Sequence, residues 1–164
     1  MRRIAALLAL LLLSACYQVE SDTVSASASI RVDGVKDGRY IRPDGVEVMV
    51  RWNAAEKLYD VIAKGAEPGR AGTARAARVG PGIYLVQYFD AARLSVLAKV
   101  KGDDILLMVP TKDAERRLLK AHGLTVRPGP INGLIGSAGS VTNFFKDLAS
   151  SGDFTEGGKM AYQP

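Results

Sequence analysis

The sequence contains very little cysteine and histidine. Cys16 is the only cysteine among the 164 residues, and His122 is the only histidine. A single cysteine cannot form a disulfide within the chain, and most zinc and redox sites need several cysteine or histidine ligands. We therefore expect a fold that rests on packing alone, with no cofactor. A serine triad would have to use His122, yet neither Ser137 nor Ser140 lies in a Gly-x-Ser-x-Gly motif, so we expect His122 to cap a helix instead.

The excess of positive charge is small. The chain has 22 Lys and Arg against 17 Asp and Glu, a net charge of +5, and residues 1–15 hold two of the arginines and no acid. The rest of the chain therefore carries only +3. Nucleic-acid-binding domains concentrate a larger basic surplus on one face. The composition does not predict a nucleic-acid partner.

A positively charged start and an apolar run open the chain. Two arginines precede ten apolar residues, 4–13, and the small residues Ser14 and Ala15 follow. This order is typical of a secretory signal peptide. The apolar run is about half the roughly 20 residues that a membrane-spanning helix needs. We therefore expect residues 1–15 to be a cleaved signal peptide.

The residues around the single cysteine resemble a known processing motif. Leu13-Ser14-Ala15-Cys16 is similar to the lipobox of bacterial lipoproteins. In that family the cysteine thiol receives a diacylglycerol, the preceding peptide is removed and the new amino terminus is usually acylated. The resemblance implies that Cys16 carries a lipid anchor with palmitate-like chains, and two or more chains hold a protein stably on a membrane. The alternative is an ordinary signal peptide, which would leave an unpaired thiol in an oxidising compartment.

The residue after the cysteine bears on the destination of the protein. Tyr17 stands where an Asp would resemble the inner-membrane retention signal of enteric bacteria. The resemblance therefore implies an anchor in the outer membrane, with the protein facing the periplasm. The inner membrane and the cell surface are the alternatives.

Composition divides the remaining chain into a tether and one domain. Residues 16–29 are polar and rich in serine and alanine, which predicts a flexible tether with a reach of roughly 20 Å. The alternative is that residues 24–30 join the edge of a sheet. Residues 30–164 are enough for a single domain with its own core.

Strand patterns dominate the first part of this domain. In VEVMVRW, the residues Val46, Val48, Val50 and Trp52 share one face, which is typical of a half-buried antiparallel strand. Val50 is therefore a predicted core residue. Further strand-like segments are LYDVIA (58–63), GIYLVQYF (82–89), LSVLAKV (94–100) and ILLMVP (105–110).

A weak internal similarity suggests how these strands are grouped. Residues 35–41 and 79–85 align at Val, Gly, Tyr and an aliphatic residue, 44 positions apart. If this is a duplication, residues 35–65 and 79–109 are each a three-stranded meander, and the two units supply about six strands. The alternative is that turns followed by Tyr-containing strands recur by chance.

Helix signals follow Pro110 and extend over residues 111–152. Thr111 can cap a first helix that runs to about Ala121, and a second helix over roughly 141–150 ends at Gly152. The sequence therefore predicts an α+β fold. It consists of an antiparallel β-meander sheet or small barrel of about six strands, with two C-terminal helices packed on it.

Four residues are candidates for a binding surface. Arg70, Arg75 and Arg78 lie in a stretch without acids and would suit an anionic lipid surface. Tyr88 is an aromatic residue that could stack on a sugar or bury itself in a partner. The alternatives are a solvated loop or strand face for the arginines and core packing for the tyrosine.

The reactive groups favour binding over catalysis. Asp103 and Asp104 are adjacent carboxylates, and neighbours on a strand point to opposite faces, so they do not predict a catalytic pair. We expect a non-enzymatic, lipid-anchored envelope protein whose partner is another envelope protein, peptidoglycan or lipid. One alternative is a periplasmic hydrolase with a carboxylate-based site. Another is an inhibitor of an extracellular enzyme, since some small lysozyme inhibitors are also lipid-anchored and rich in β-structure.

Overall fold

A closed β-barrel forms the body of the protein. The computed structural model describes residues 15–66 and 71–164. Within these ranges the elements are β1 (Tyr17–Val19), β2 (Gly38–Ile41), β3 (Glu47–Asn53), β4 (Leu58–Ala63), β5 (Gly72–Gly80), β6 (Ile83–Phe89), β7 (Arg93–Lys101), β8 (Asp104–Pro110), α1 (Lys112–Ala121), β9 (Thr125–Arg127), β10 (Gly133–Ile135), α2 (Ala138–Ser151) and β11 (Phe154–Gln163). Eight of these strands close the barrel in the order β2-β3-β4-β5-β6-β7-β8-β11, and β11 pairs back with β2. Every pairing around the barrel is antiparallel.

A small extension is attached to the barrel wall at β7. The first half of β7 pairs antiparallel with β1, and the second half pairs with β8. β1 also pairs in parallel with β10, which in turn pairs with β9. The first described strand of the chain is therefore part of the main sheet.

The strands separate two hydrophobic cores because their side chains alternate between the two faces of the sheet. On β6, Ile83 and Leu85 face outward into a core that they share with the helices, whereas Tyr84 and Val86 face into the barrel. We refer to these cores as the helix-covered face and the barrel interior. Val50 lies in the barrel interior and is 5% exposed, as predicted from its place in the sequence.

Both predicted helices are present, and each begins at a side-chain cap. The Thr111 hydroxyl accepts a hydrogen bond from the amide of Ala114, and Ser137 accepts one from Ser140. α2 therefore begins three residues earlier than its apolar spacing suggested, and it ends at Gly152, which has a positive φ of 71°. Its buried side, with Phe144 and Phe145 at its centre, covers the outer wall of the barrel.

The barrel has eight strands where the sequence predicted about six. The predicted meanders, 35–65 and 79–109, contain β2–β4 and β6–β8, three strands each. The two additional strands are β5, which joins the meanders, and β11, which closes the barrel. The tyrosines that align between the two units, Tyr40 and Tyr84, both face the barrel interior. The duplication itself stays a prediction.

The segment after Cys16 is packed against the domain, where the sequence predicted a flexible tether over residues 16–29. Tyr17 and Val19 in β1 are 2% and 4% exposed, and Val24 is 1% exposed. Beyond residue 24, the amide of Ile30 donates to the carbonyl of Ala76 in β5. The chain therefore enters the domain immediately after the cysteine.

Candidate functional site

Cys16 lies directly before β1, and its side chain is partly buried. Burial raises the pKa of its thiol to about 11, although the Arg42 guanidinium opposes this rise. At neutral pH the group is therefore a thiol and not the thiolate that attacks substrates or binds metals. The chemistry of this cysteine is that of an inert group unless a dedicated enzyme modifies it. Residues 1–14 of the predicted signal peptide lie outside the described residues.

Two buried polar side chains on the barrel wall hold the segment that follows Cys16. The Gln87 side-chain carbonyl accepts hydrogen bonds from the amides of Thr23 and Val24 at 2.8 and 3.1 Å, and its amide donates to the carbonyl of Ser21 at 3.0 Å. The hydroxyls of Thr23 and Ser95 are hydrogen-bonded at 2.8 Å. Gln87 and Ser95 are both 0% exposed, so their partners fix the path of residues 21–24.

Tyr17 fixes the first residue of β1 against the helices. Its ring meets Phe144 and Phe145 edge to face, with centroids 5.8 and 6.0 Å apart. Its hydroxyl donates a hydrogen bond to the carboxylate of Glu115 in α1. Burial, followed by the contact with Glu115, raises the pKa of Tyr17 above its ordinary range. The residue beside the predicted lipid attachment point is therefore rigidly held.

The barrel interior contains a cavity of about 100 Å³ that no polar atom lines. Small residues surround it on β5 and β7, where Ala74, Ala76 and Ala98 point inward. Larger aliphatic side chains complete the wall, among them Val50, Val61, Val86, Ile105, Leu107 and Met160. Eight strands leave an interior that side chains can just fill or that can hold one small ligand. With alanines at these positions the interior is not filled.

Residues 30–37, which we call the strap, cross one end of the barrel. Val32 and Val35 are buried and line the cavity, whereas the residues between and beside them are exposed. The amide of Val32 donates to the hydroxyl of Tyr59 at 2.6 Å. Gly34 has a φ of +85°, and a Cβ there would lie 3.0 Å from a Val100 methyl group, so this close approach favours glycine.

Ion pairs at the surface tie the strap to the barrel rim. Asp33 meets Arg78 at 2.7 Å and Lys36 meets Asp103 at 2.8 Å. The hydrogen bond to Asp103, the larger cause, raises the pKa of Lys36. All four side chains are at least half exposed, so each pair contributes little to stability. The strap is also held by the Tyr40 hydroxyl, which accepts from the Lys36 amide and donates to the Lys36 carbonyl, and by Asp37, which accepts from the Trp52 amide.

The structure does not bring the arginines of the predicted binding surface together. Arg70 lies outside the described residues. Arg75 faces outward, where it meets Asp22 at 3.2 Å and stacks on Phe89, whereas Arg78 stands on the opposite face at the rim. Arg75 and Arg78 are thus each paired with a carboxylate on different sides of β5.

Tyr88, the fourth residue of that predicted surface, packs with the barrel interior. It is only partly exposed, and its hydroxyl lies over Gly72, where an added Cβ would be 2.1 Å away. Burial raises the pKa of Tyr88. This position corresponds to the core-packing alternative.

The remaining polar candidates make structural contacts. The His122 ring lies at the end of α1, and its Nε2 is 2.9 Å from the Asp147 carboxylate of α2. Asp103 faces the strap, whereas Asp104 contacts Lys159 and accepts from the amide of Tyr162. That amide, with a smaller contribution from Lys159, lowers the pKa of Asp104.

Sequence reasoning missed the cavity and the polar contacts of residues 21–24. Gln87 was the available signal for those contacts, because it interrupts an otherwise apolar strand. The cavity has no such local signal. In the ranges 15–66 and 71–164, no helix is long and apolar enough to cross a membrane. The same ranges contain no group of three or more His, Cys, Asp or Glu side chains placed to hold a metal ion.

Comparison with known proteins gives no relative for this chain. No family model, no curated protein and no solved structure matches it.

Proposed function

We propose that the protein is a lipid-anchored component of the bacterial cell envelope that acts as a non-enzymatic binding module. The observation that carries the anchor is the Leu13-Ser14-Ala15-Cys16 sequence directly after ten apolar residues. The proposed location is the outer membrane, on the side that faces the periplasm.

The position of Cys16 supports direct seating of the barrel on the membrane. Because β1 begins at Tyr17, acyl chains on Cys16 would hold the barrel end near Arg42 at the headgroups. Arg42 pairs across a tight turn with Val46, which is 36% exposed. Met49 on β3 and Ile62 on β4 are cross-strand partners and are 42% and 41% exposed. Arg42 itself is paired with Asp44 at 2.5 Å, so the exposed apolar groups are what suits contact with a lipid surface.

The carboxylates support a binding role over hydrolysis. A carboxylate-based hydrolase needs an acid whose pKa is raised toward neutrality. At the barrel rim, Asp33 and Asp103 face cations, and the pKa of Asp104 is lowered. The ion pairs of Asp33 and Asp103 hold the strap, and the hydrogen bond to Asp104 holds β11 in place.

The anchor is tested by labelling the full chain in living bacteria with an alkyne analogue of palmitate. We expect the wild-type chain to be labelled and to fractionate with the outer membrane. Cys16→Ser should lose labelling and keep its signal peptide, because the acceptor thiol is gone. Ser14→Ala is the matched control, since it preserves a small residue before the cleavage point, and it should be labelled normally. Undiminished labelling of Cys16→Ser would overturn the anchor.

The binding role is tested by crosslinking the anchored protein in cells and identifying what is captured. We expect one dominant envelope protein, peptidoglycan fragment or lipid, and we expect it to be lost when Cys16→Ser removes the protein from the membrane. Recovery of the same species with Cys16→Ser would show that membrane seating does not position the binding surface.

A further inference from the structure

The barrel interior is underfilled because of residues on two strands. Ala74 and Ala76 on β5 and Ala98 on β7 face inward, at positions where longer aliphatic side chains would close the space. Val61, Val86 and Val100, which line the same cavity, keep part of their surface accessible. The outer face of the barrel wall is fully packed, since the cross-strand partners Leu85 and Leu97 are each 1% exposed. Side chains therefore fill the outer face of these strands and leave unoccupied space on the inner face.

The chemistry of the cavity selects an apolar occupant. It has about 100 Å³ and no polar atom on its lining, so a water molecule inside it would have no hydrogen-bond partner. An engineered apolar cavity of about 150 Å³ stays dry and binds benzene or xenon. The smaller cavity here has room for a few methylene groups. A linear alkyl chain is the apolar group that an envelope supplies.

The strap provides a way in and additional room. Its backbone lies outside the strands of the barrel, and Val32 and Val35 occupy the space directly beside the cavity. Displacement of residues 30–37 would open the barrel end and vacate the volume of both valines. The strap is held by the hydrogen bonds at Ile30 and Val32, by those between the Tyr40 hydroxyl and the Lys36 backbone, by one from the Trp52 amide to Asp37, and by the exposed ion pairs of Asp33 and Lys36. Displacement of the strap must break these contacts. Exposed pairs of this kind hold weakly.

We propose that the barrel interior binds a single alkyl chain, which is admitted when the strap moves away from the barrel end. The proposal rests on the binding role proposed above, and it does not depend on lipidation of Cys16. The strap lies at the end of the barrel opposite Arg42, the end that the anchor would hold at the headgroups. The alkyl chain could therefore belong to a free fatty acid or to a phospholipid that has left the membrane, and both present the same hydrocarbon to the cavity.

The experiment is photo-crosslinking of the full chain in its native membrane with two probes. One is a fatty acid with a diazirine at the end of its chain, and the other is a phosphatidylethanolamine that carries the same chain. After irradiation, mass spectrometry locates the labelled residues. We expect labels at inward positions such as Ala76, Val86 and Ala98, in addition to surface labels. Labelling by the free acid alone identifies a fatty acid, and labelling by both probes a membrane lipid.

Matched variants separate binding in the cavity from contact with the surface. Ala98→Leu should reduce interior labelling at least tenfold, because the longer side chain occupies the cavity, while labels on exposed Met49 and Ile62 serve as the internal reference. Ala55→Leu, in the exposed turn after β3, should leave both sets of labels unchanged. Val35→Ala should increase interior labelling, because it enlarges the cavity. If Ala98→Leu does not fold, the milder Ala76→Val is used in its place.

Labels confined to outward positions in the wild-type chain would overturn the proposal, as would interior labels that Ala98→Leu and Ala76→Val leave unchanged. The Cys16→Ser chain keeps this test separate from that of the anchor. Interior labelling of Cys16→Ser without incorporation of palmitate analogue supports the ligand site whether or not the anchor exists. Palmitate incorporation into the wild type without interior labelling retains the anchor and rejects the ligand site.

Discussion

The two faces of the barrel wall differ in how completely they are packed. On the helix-covered face, Phe144, Phe145, Leu85 and Leu97 are at most 1% exposed. In the barrel interior, the same strands leave about 100 Å³ unoccupied behind alanines and valines. Protein interiors are normally packed as tightly as organic crystals, so an unfilled apolar space lowers stability. The comparison indicates that the outer face stabilises the domain and that the inner face is shaped for an occupant.

The largest effect is expected from a charge in the barrel interior. Val50→Asp should prevent folding of the full chain, because the carboxylate would have no partner among apolar side chains. Met49→Asp is the matched control at the adjacent, outward position, which is 42% exposed, and it should change the free energy of unfolding by only about 0.5 kcal/mol. Urea unfolding followed by circular dichroism measures both. A wild-type midpoint for Val50→Asp would mean that this position is not buried.

Truncation of a large side chain should lower the free energy of unfolding most on the helix-covered face. Phe144 is 0% exposed and contacts Tyr17 and Phe145. Phe144→Ala should lower the free energy of unfolding by about 3–5 kcal/mol, since it removes a whole ring from a packed core. The urea midpoint gives the value. A loss below about 1 kcal/mol would mean that this face is as loosely packed as the interior.

Two alanine-to-leucine substitutions sharpen the comparison between the faces. Ala114→Leu on the helix-covered face should lower the free energy of unfolding by about 1–3 kcal/mol, because there is no space for the added atoms. Ala98→Leu in the barrel interior should raise it by up to about 1 kcal/mol, because the side chain fills the cavity. Chemical unfolding of both variants beside the wild type checks the signs. Equal losses would show that the two faces are packed alike.

The smallest effect is a loss of stability in alkali. Burial raises the pKa of Tyr17 above its ordinary range and that of Tyr40 to about 12. Above pH about 10 the unfolded chain releases these protons while the folded chain retains them, so the free energy of unfolding falls as the pH rises. The free energy of unfolding of Tyr17→Phe should fall less steeply with pH than that of the wild type. Between about pH 7 and 9 these tyrosines should not change the free energy of unfolding of either chain. Identical alkaline slopes in urea midpoints would contradict the burial of the Tyr17 hydroxyl.

The sequence was sufficient to predict the elements that local patterns determine. The alternation around Val50 predicted a half-buried antiparallel strand, and the helix caps at Thr111 and Gly152 marked the boundaries of the helical part. β5 was left open as a loop or a strand face because its inward residues are Ala74 and Ala76, which give almost no hydrophobic alternation. The same small side chains create the cavity.

Long-range contacts decide the features that the sequence could not predict. Residues 16–29 have the composition of a tether, yet Thr23 is held by Gln87, 64 positions away. The cavity likewise depends on inward residues from several strands that are adjacent only in the closed barrel. In contrast, the lipid attachment at Cys16 is predicted from four consecutive residues, so no long-range contact enters that prediction.

The most direct test of an unfilled apolar interior is a crystal of the full chain equilibrated under xenon pressure. Xenon binds in dry apolar cavities and scatters strongly. We expect a xenon atom inside the barrel, next to Ala76, Ala98 and Val32. An interior without xenon, filled instead by side chains or by ordered water, would contradict the claim that this space is kept for an apolar ligand.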